Sequence, residues 1–233
     1  MGLEYGKIRD GKLNQNEKTF LLDYVVPDFN SGSYGKIHIE VSDPDKSDFN
    51  VADLRAKAEL IYSKSPFNSL FVDHAGLLAP RQWVPSTTER LNEVLRDLKR
   101  LAMSFNRGAG MAVVNLFQIS REGFKAAEKI AEKSQGTYTN GPYNLTHLSY
   151  ANEAERSSDI VTASYIDNDL RAQNRVLLQC LKSRDQAPFQ NHFARVEWSC
   201  RRILTSQEVM LVGGKKDPLA DNLGEIEGLL SKT

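Results

Sequence analysis

The chain has 233 residues, 40% hydrophobic and 26% charged, which fits one ordinary folded domain or two small ones and excludes both a mini-protein and a disordered chain. Thirty Lys and Arg balance thirty Asp and Glu, so the global basic footprint of many nucleic-acid binders is missing and any basic surface is local. The two cysteines, Cys180 and Cys200, have neither metal-ligand spacing nor a second pair, which argues against a disulfide framework or a zinc site.

In chain order, residues 14–24 turn from polar to apolar and read as a helix closing near Val26, before Pro27. Residues 28–35 are turn chemistry. Lys36-Ile37-His38-Ile39-Glu40-Val41 alternates with period two and predicts a short strand, with its exit at Ser42-Asp43-Pro44. Asn50 then caps a helix whose Val51, Leu54, Ala58 and Ile61 share a face and which ends before Pro66. Ser69-Leu70-Phe71-Val72-Asp73 is a short apolar run closing on a carboxylate, the pattern of a strand in a parallel sheet.

The strongest element starts at Ser86. Ser86-x-x-Glu89 has the form of a capping box, and Leu91, Val94, Leu95, Leu98, Leu101, Ala102 and Phe105 make one apolar stripe. Arg90, Glu93, Arg96, Asp97 and Arg100 fall on the opposite face, and Asn106-Arg107-Gly108 ends the helix. A second buried strand runs over 111–118 and closes on Gln118. A basic helix over 124–133, a loop over 136–142 and one or two helical turns over 152–158 follow. Strand-like pieces at 159–165, 175–181 and 193–198 come next, the last two predicting a hairpin around 183–191. The residues from Gly213 onward, apart from an apolar stretch at 226–230, are expected to be partly disordered.

Strands alternating with helices predict an α/β fold, a mostly parallel sheet covered by helices, with ligands gathering at the carboxyl ends of the strands. Asp73 and Gln118 both fall at such ends. The chain has no run of 18 apolar residues, and residues 1–7 lack the features of a signal or transit peptide. A cytoplasmic protein without a membrane span is the expectation.

Several motifs, in order and at matching spacing, resemble the C-terminal motor domain of DnaB-like replicative DNA helicases, which are RecA-like ATPases. Leu70-Phe71-Val72-Asp73-His74-Ala75-Gly76-Leu77-Leu78 resembles the family's Walker B strand. Val113-Val114-Asn115-Leu116-Phe117-Gln118-Ile119-Ser120-Arg121 resembles its glutamine-bearing strand and the start of a DNA-facing loop. Residues 148–161, with Asn152-Glu153-Ala154-Glu155-Arg156, are similar to the loop and short helix before the next core strand. Lys182-Ser183-Arg184-Asp185 resembles the Lys-x-Arg signature that reaches the nucleotide of a neighbouring subunit, and residues 5–13 resemble a segment between the motor's early helices. The match covers about residues 5–205, taken as a partial RecA-like domain, with 206–233 as a tail.

The resemblance implies a RecA-like sheet with a C-terminal β-hairpin. Its departures are specific: the sequence contains no Gly-x-x-x-x-Gly-Lys-Ser/Thr, His74 replaces the usual aromatic, and Tyr150 and Asn152 stand where many members have an acid and a glycine. The phosphate-binding loop and its strand would lie before Tyr5. The simplest expectation is the C-terminal part of a longer or split protein whose sheet is incomplete here.

What the resemblance implies chemically is ATP hydrolysis with Mg²⁺ at subunit interfaces of a hexameric ring, coupled to translocation on single-stranded DNA during replication. Asp73 would hold the Mg²⁺ through water, Gln118 would couple the nucleotide to DNA, and Lys182 and Arg184 would act on the nucleotide of the neighbouring subunit. Arg81, Arg121 and Lys125 would contact DNA phosphates, and other replication proteins would be further partners. From the residues alone, Asp73 could equally end a strand and Gln118 be a surface amide. Lys182 and Arg184 could be a solvated pair, and Lys125, Lys129 and Lys133 a helix face paired with Glu128 and Glu132. Trp83 could stack on a base or pack locally. Two other readings stand beside the motor: a non-catalytic adaptor or inhibitor docking on a complete helicase ring, and a fragment of a recombination-type RecA-like ATPase.

Overall fold

The structure, a computed structural model, describes residues 2–41, 48–134, 138, 141–148 and 151–204. The expected loop at 136–142 lies partly, and the expected tail wholly, outside them. The chain divides into two compact units, one of residues 29–163 and 180–189, the other of residues 1–28, 164–179 and 190–233.

In the larger unit, helix α4 (Val51–Lys64) starts on Asn50. The Asn50 side chain accepts from Ala52 N at 2.8 Å, and Asp53 returns the bond by accepting from Asn50 N at 3.0 Å. Strand β1 (Ser69–Val72) leads through a short 3₁₀ turn to α5 (Thr87–Gly108), where Ser86 Oγ accepts from Glu89 N at 3.4 Å. The stripe on α5 is the core: Leu91, Val94, Leu95, Leu98, Leu101 and Phe105 are buried with Val51, Ala58, Val72 and Ala154. The helix stops where the sequence places its stop, with Asn106 and Arg107 at φ of 48° and 58°. Tyr62 and Phe67 pack on Phe105 there, Tyr62 edge-on with ring centroids 5.2 Å apart.

Strand β2 (Ala112–Asn115) pairs parallel to β1, with Leu70 opposite Val113, Phe71 opposite Val114 and Val72 opposite Asn115. The connection through α5 is the βαβ crossover that parallel pairing requires. Helix α6 (Arg121–Lys133) follows, capped by Ser120, whose Oγ accepts from Gly123 N at 2.9 Å. Gly123 is fitted closely against its surroundings: a Cβ there would meet the His147 carbonyl oxygen at 2.4 Å. Helix α7 (Ala151–Ser157) packs on α5.

In the smaller unit, α1 (Tyr5–Arg9) is tied by Tyr5 N donating to Ser199 O at 2.8 Å, and the Arg201 guanidinium lies 4.0 Å from the centroid of the Tyr5 ring. Its buried residues include Tyr165, Leu170, Val176, Leu177, Gln179, Val196 and Leu204. The second sheet follows the order β3 (Ile160–Tyr165), β4 (Arg175–Ser183), β5 (His192–Glu197) and β6 (Arg202–Leu204), with a short helix α8 (Asn168–Ala172) between β3 and β4. β4 and β5 form the predicted hairpin, and β6 extends it antiparallel. The three-residue β6 has no sequence signal of its own.

Three expectations are corrected. Residues 36–41 form no strand: Ile37, Ile39 and Val41 are 62%, 82% and 80% exposed, because a period-two pattern becomes a strand only where an edge is there to pair with it. The first helical segment does not end before Pro27. α2 (Gln15–Phe20) passes into a π turn (Leu21–Val25) and then α3 (Val26–Asn30). Val26 N donates to Leu21 O in the wider turn, and Pro27, with its fixed φ and no N–H, sits in the first turn of α3, where its missing donor is tolerated. Finally, Asp97 is not on a solvent face of α5: its side chain is only 3% exposed.

Candidate functional site

Two groups of residues stand out in the larger unit. The first is the carboxyl end of the β1–β2 sheet. Val72 and Asn115 are the last paired residues, so Asp73 and Gln118 both leave from this end. Both are exposed. Asp73 has no ion pair among the described residues, and the peptide joining it to His74 is cis. The His74 ring nitrogen accepts from Gly76 N at 3.1 Å, holding the turn that follows. Asn115, inside an otherwise apolar strand, has its side-chain oxygen buried without a hydrogen-bond partner. A buried acceptor left so costs about 1–3 kcal/mol, which marks this strand end as polar beyond what packing requires. The amide next to two valines is its sequence signal.

The second group gathers at the turn between α7 and β3. Lys182 Nζ donates to the carbonyls of Glu155 and Ser158, the latter at 2.7 Å. Arg184 donates to the Arg156 carbonyl at 2.7 Å and pairs with Asp159 at 3.2 Å. Lys99, from α5, donates to both Asp159 oxygens at 2.5 and 2.7 Å. Three cations thus converge on one carboxylate. The hydrogen-bonded Lys99 foremost, with the charges of Arg184 and Lys182, holds the Asp159 carboxyl below its ordinary range. The two-residue spacing of Lys182 and Arg184 does bring both to one place, as an alternating strand should. Lys99 and Asp159, 60 residues apart, carry no sequence signal of their own and are brought together only by the fold.

The basic residues expected to contact DNA are divided. Arg81 is engaged within the unit, donating to Asp97 at 3.0 Å, while Arg100 bonds the other oxygen of the same carboxylate at 2.9 Å. Arg121 and Lys125 are exposed on α6, one turn apart, opposite its buried row of Gly123, Ala127 and Ala131. Neither forms a salt bridge among the described residues, and the same holds for Lys129 and Lys133, so the pairing with Glu128 and Glu132 is not formed. Trp83 is 82% exposed and therefore not packed locally.

As for a metal, no cluster of three or more His, Cys, Asp or Glu side chains that could hold an ion exists among the described residues. A lone carboxylate such as Asp73 fits a Mg²⁺ ion carried mainly by phosphates and water, and does not make a metal site by itself.

No protein-family model matches the sequence, and no curated protein matches it. Solved structures do. The structure is similar to a solved ATPase domain of a DnaB-like helicase, with a TM-score of 0.62 and 20% identity over 87% of this chain and 65% of that one. It is also similar to a DnaB-like replicative helicase studied for its interactions with primase, with a TM-score of 0.63 and 19% identity over 86% of this chain and 45% of that one. The chain has the fold of a DnaB-like helicase ATPase domain. It spans less than two thirds of either DnaB-like chain. The DnaB-like fold read from the motifs is therefore met in three dimensions. No helix among the described residues is long and apolar enough to cross a membrane.

Proposed function

We propose that this chain works as part of an ATP-dependent, DnaB-like DNA helicase motor, contributing one side of a nucleotide site at a subunit interface. The observation that carries the reading is the placement of Asp73 and Gln118 at the carboxyl ends of two adjacent parallel strands within a DnaB-like fold, where α/β sheets bind their ligands. Asp73 would hold the water shell of Mg²⁺, whose role when bound is to neutralise charge on the phosphates. Gln118, with donor and acceptor on one amide, would link the nucleotide to the loop that follows it. Lys182 and Arg184 would face the nucleotide of a neighbour, and exposed Arg121 and Lys125 would track the phosphates of single-stranded DNA. A hexameric ring and contacts with other replication proteins belong to the same proposal.

The sequence holds no Gly-x-x-x-x-Gly-Lys-Ser/Thr, so this chain should not bind ATP by itself. That feature equally favours a second reading, a non-catalytic adaptor that lends Lys182 and Arg184 to a complete helicase ring. The test is calorimetry with an ATP analogue, on the chain alone and on the chain mixed with a complete DnaB-like motor. Silence alone, with tighter binding or altered turnover in the mixture, is the expected result. Binding by the chain alone would overturn the half-site, and silence in both would remove any role at a nucleotide. A mixture that gains binding without DNA-stimulated turnover would favour the adaptor.

A further inference from the structure

Parallel sheets are stable only when both faces are covered, and a sheet of two strands is marginal in water. The β1–β2 sheet meets neither condition. One face, with Leu70, Val72 and Val113, packs on the core of the larger unit. The other is bare: Phe71 and Val114, directly opposite each other in the register, are 73% and 41% exposed, and Leu116, continuing the alternation, is 52% exposed. With two strands in the sheet, each has one edge that no described strand occupies.

A second observation makes the same demand. Residues 36–41 carry the period-two signature of a strand, lie in no sheet, and expose Ile37, Ile39 and Val41. Side-chain contacts hold this segment, Lys57 pairing with Glu40 at 3.3 Å and Phe67 packing near the His38 ring. An exposed apolar strand sequence beside a sheet with open edges is a template for pairing, which folded proteins otherwise avoid.

We infer that the Phe71, Val114 and Leu116 face is the docking surface for a partner polypeptide that adds at least one strand to the β1–β2 sheet and covers this face with an apolar helix. The occupant is set by the sheet itself. Strand addition satisfies the edge hydrogen bonds, and the βα geometry of a parallel sheet supplies the covering layer. A second copy of the chain would bring the same half-covered sheet and leave the same deficit in helices. The two similar solved structures point the same way, since this chain matches only 65% and 45% of them and both therefore hold further chain. The inference does not rest on nucleotide chemistry, because the sheet needs this layer whatever reaction the assembly performs.

The experiment places a photo-crosslinking amino acid at position 71 of the full chain, where 73% exposure makes a substitution tolerable. It is expressed in the cells that make the protein, with a second variant labelled at exposed Leu60 as control. The crosslinked peptide is sequenced, and the protein it identifies is purified and titrated against the chain. The expected result is a peptide from a different polypeptide carrying an apolar strand run. Slowed amide exchange in β1 and β2 should accompany the complex, and Phe71→Asp should weaken it at least about tenfold while the free chain keeps its circular dichroism. Crosslinking of position 71 to a second copy, to a segment without strand character, or to nothing beyond the Leu60 control would overturn the inference. So would a Phe71→Asp variant that binds as tightly as the parent.

Discussion

Arg81 donates to the carboxylate of Asp97 at 3.0 Å, and that carboxylate, 3% exposed, belongs to the one buried acid of α5. A residue expected to contact DNA is thereby a strut between the Pro-rich loop and the main helix. Arg100 holds the other oxygen of Asp97, so either arginine alone can keep the buried charge paired. Arg81→Ala and Arg100→Ala should each cost about 1 kcal/mol, because the guanidinium groups are more than half exposed and the remaining partner compensates. The double variant should cost about 3 kcal/mol or more, since an unpaired buried carboxylate is then left. Urea unfolding of the four proteins measures this directly. Additive losses would mean that water reaches Asp97 once a single arginine is gone.

Asp159 gives a pH dependence with a defined sign. Lys99, through its hydrogen bonds, and the neighbouring Arg184 and Lys182 lower its carboxyl below the ordinary 3.8. A carboxyl whose value falls on folding contributes stability above its unfolded range and loses it as pH falls through the folded value. Lys99→Met should therefore lower the unfolding midpoint by a constant amount at and just below neutral pH, with the difference closing once the pH drops under the ordinary carboxylate range. Because the carboxylate is half exposed, molar salt should shrink the difference wherever it is present. A gap that persists at the acid end would assign the Lys99 effect to its packed methylene stem.

Much of this architecture was legible because it is written in local patterns. The Asn50 box, the α5 stripe ending at Asn106, the two apolar runs that became β1 and β2, and the hairpin of β4 and β5 all follow from short-range periodicity and capping. What escaped depends on residues far apart in the chain. Helical periodicity places Asp97 with Arg96 and Arg100, and only the loop carrying Arg81 makes it buried. Lys99 and Asp159 meet across 60 residues. The strand expected at 36–41 failed for the opposite reason: its local pattern is complete, but strand formation is decided by a neighbouring edge that the pattern cannot supply.

Gly123 tests how closely α6 approaches the segment before α7. A β-carbon there would lie 2.4 Å from the His147 carbonyl oxygen and 2.9 Å from its Cα, both backbone atoms that cannot swing aside. Helix propensity alone favours Gly123→Ala by about 1 kcal/mol. The contact predicts the reverse, a loss of about 1–3 kcal/mol as α6 is pushed outward, with Ser120 N losing its bond to His147 O. Thermal unfolding of the variant gives the sign. Stabilisation would mean that the two segments separate freely.

Arg184 is where a trans-acting role and an intrachain role part company. Its bonds to the Arg156 carbonyl and to Asp159 use only part of the guanidinium fork, and the side chain remains 44% exposed. Its other N–H groups are open to a phosphate. In an assembly with a complete motor, Arg184→Ala should lower DNA-stimulated ATPase turnover by roughly 10³-fold or more, as loss of a charge-neutralising arginine does, while nucleotide binding stays within a few fold. Asp159→Asn supplies the control. It removes the intrachain anchor yet leaves the guanidinium in place, so turnover should fall much less. If Arg184 only pins the α7–β3 turn, the two variants should instead resemble each other, losing stability and binding together with turnover.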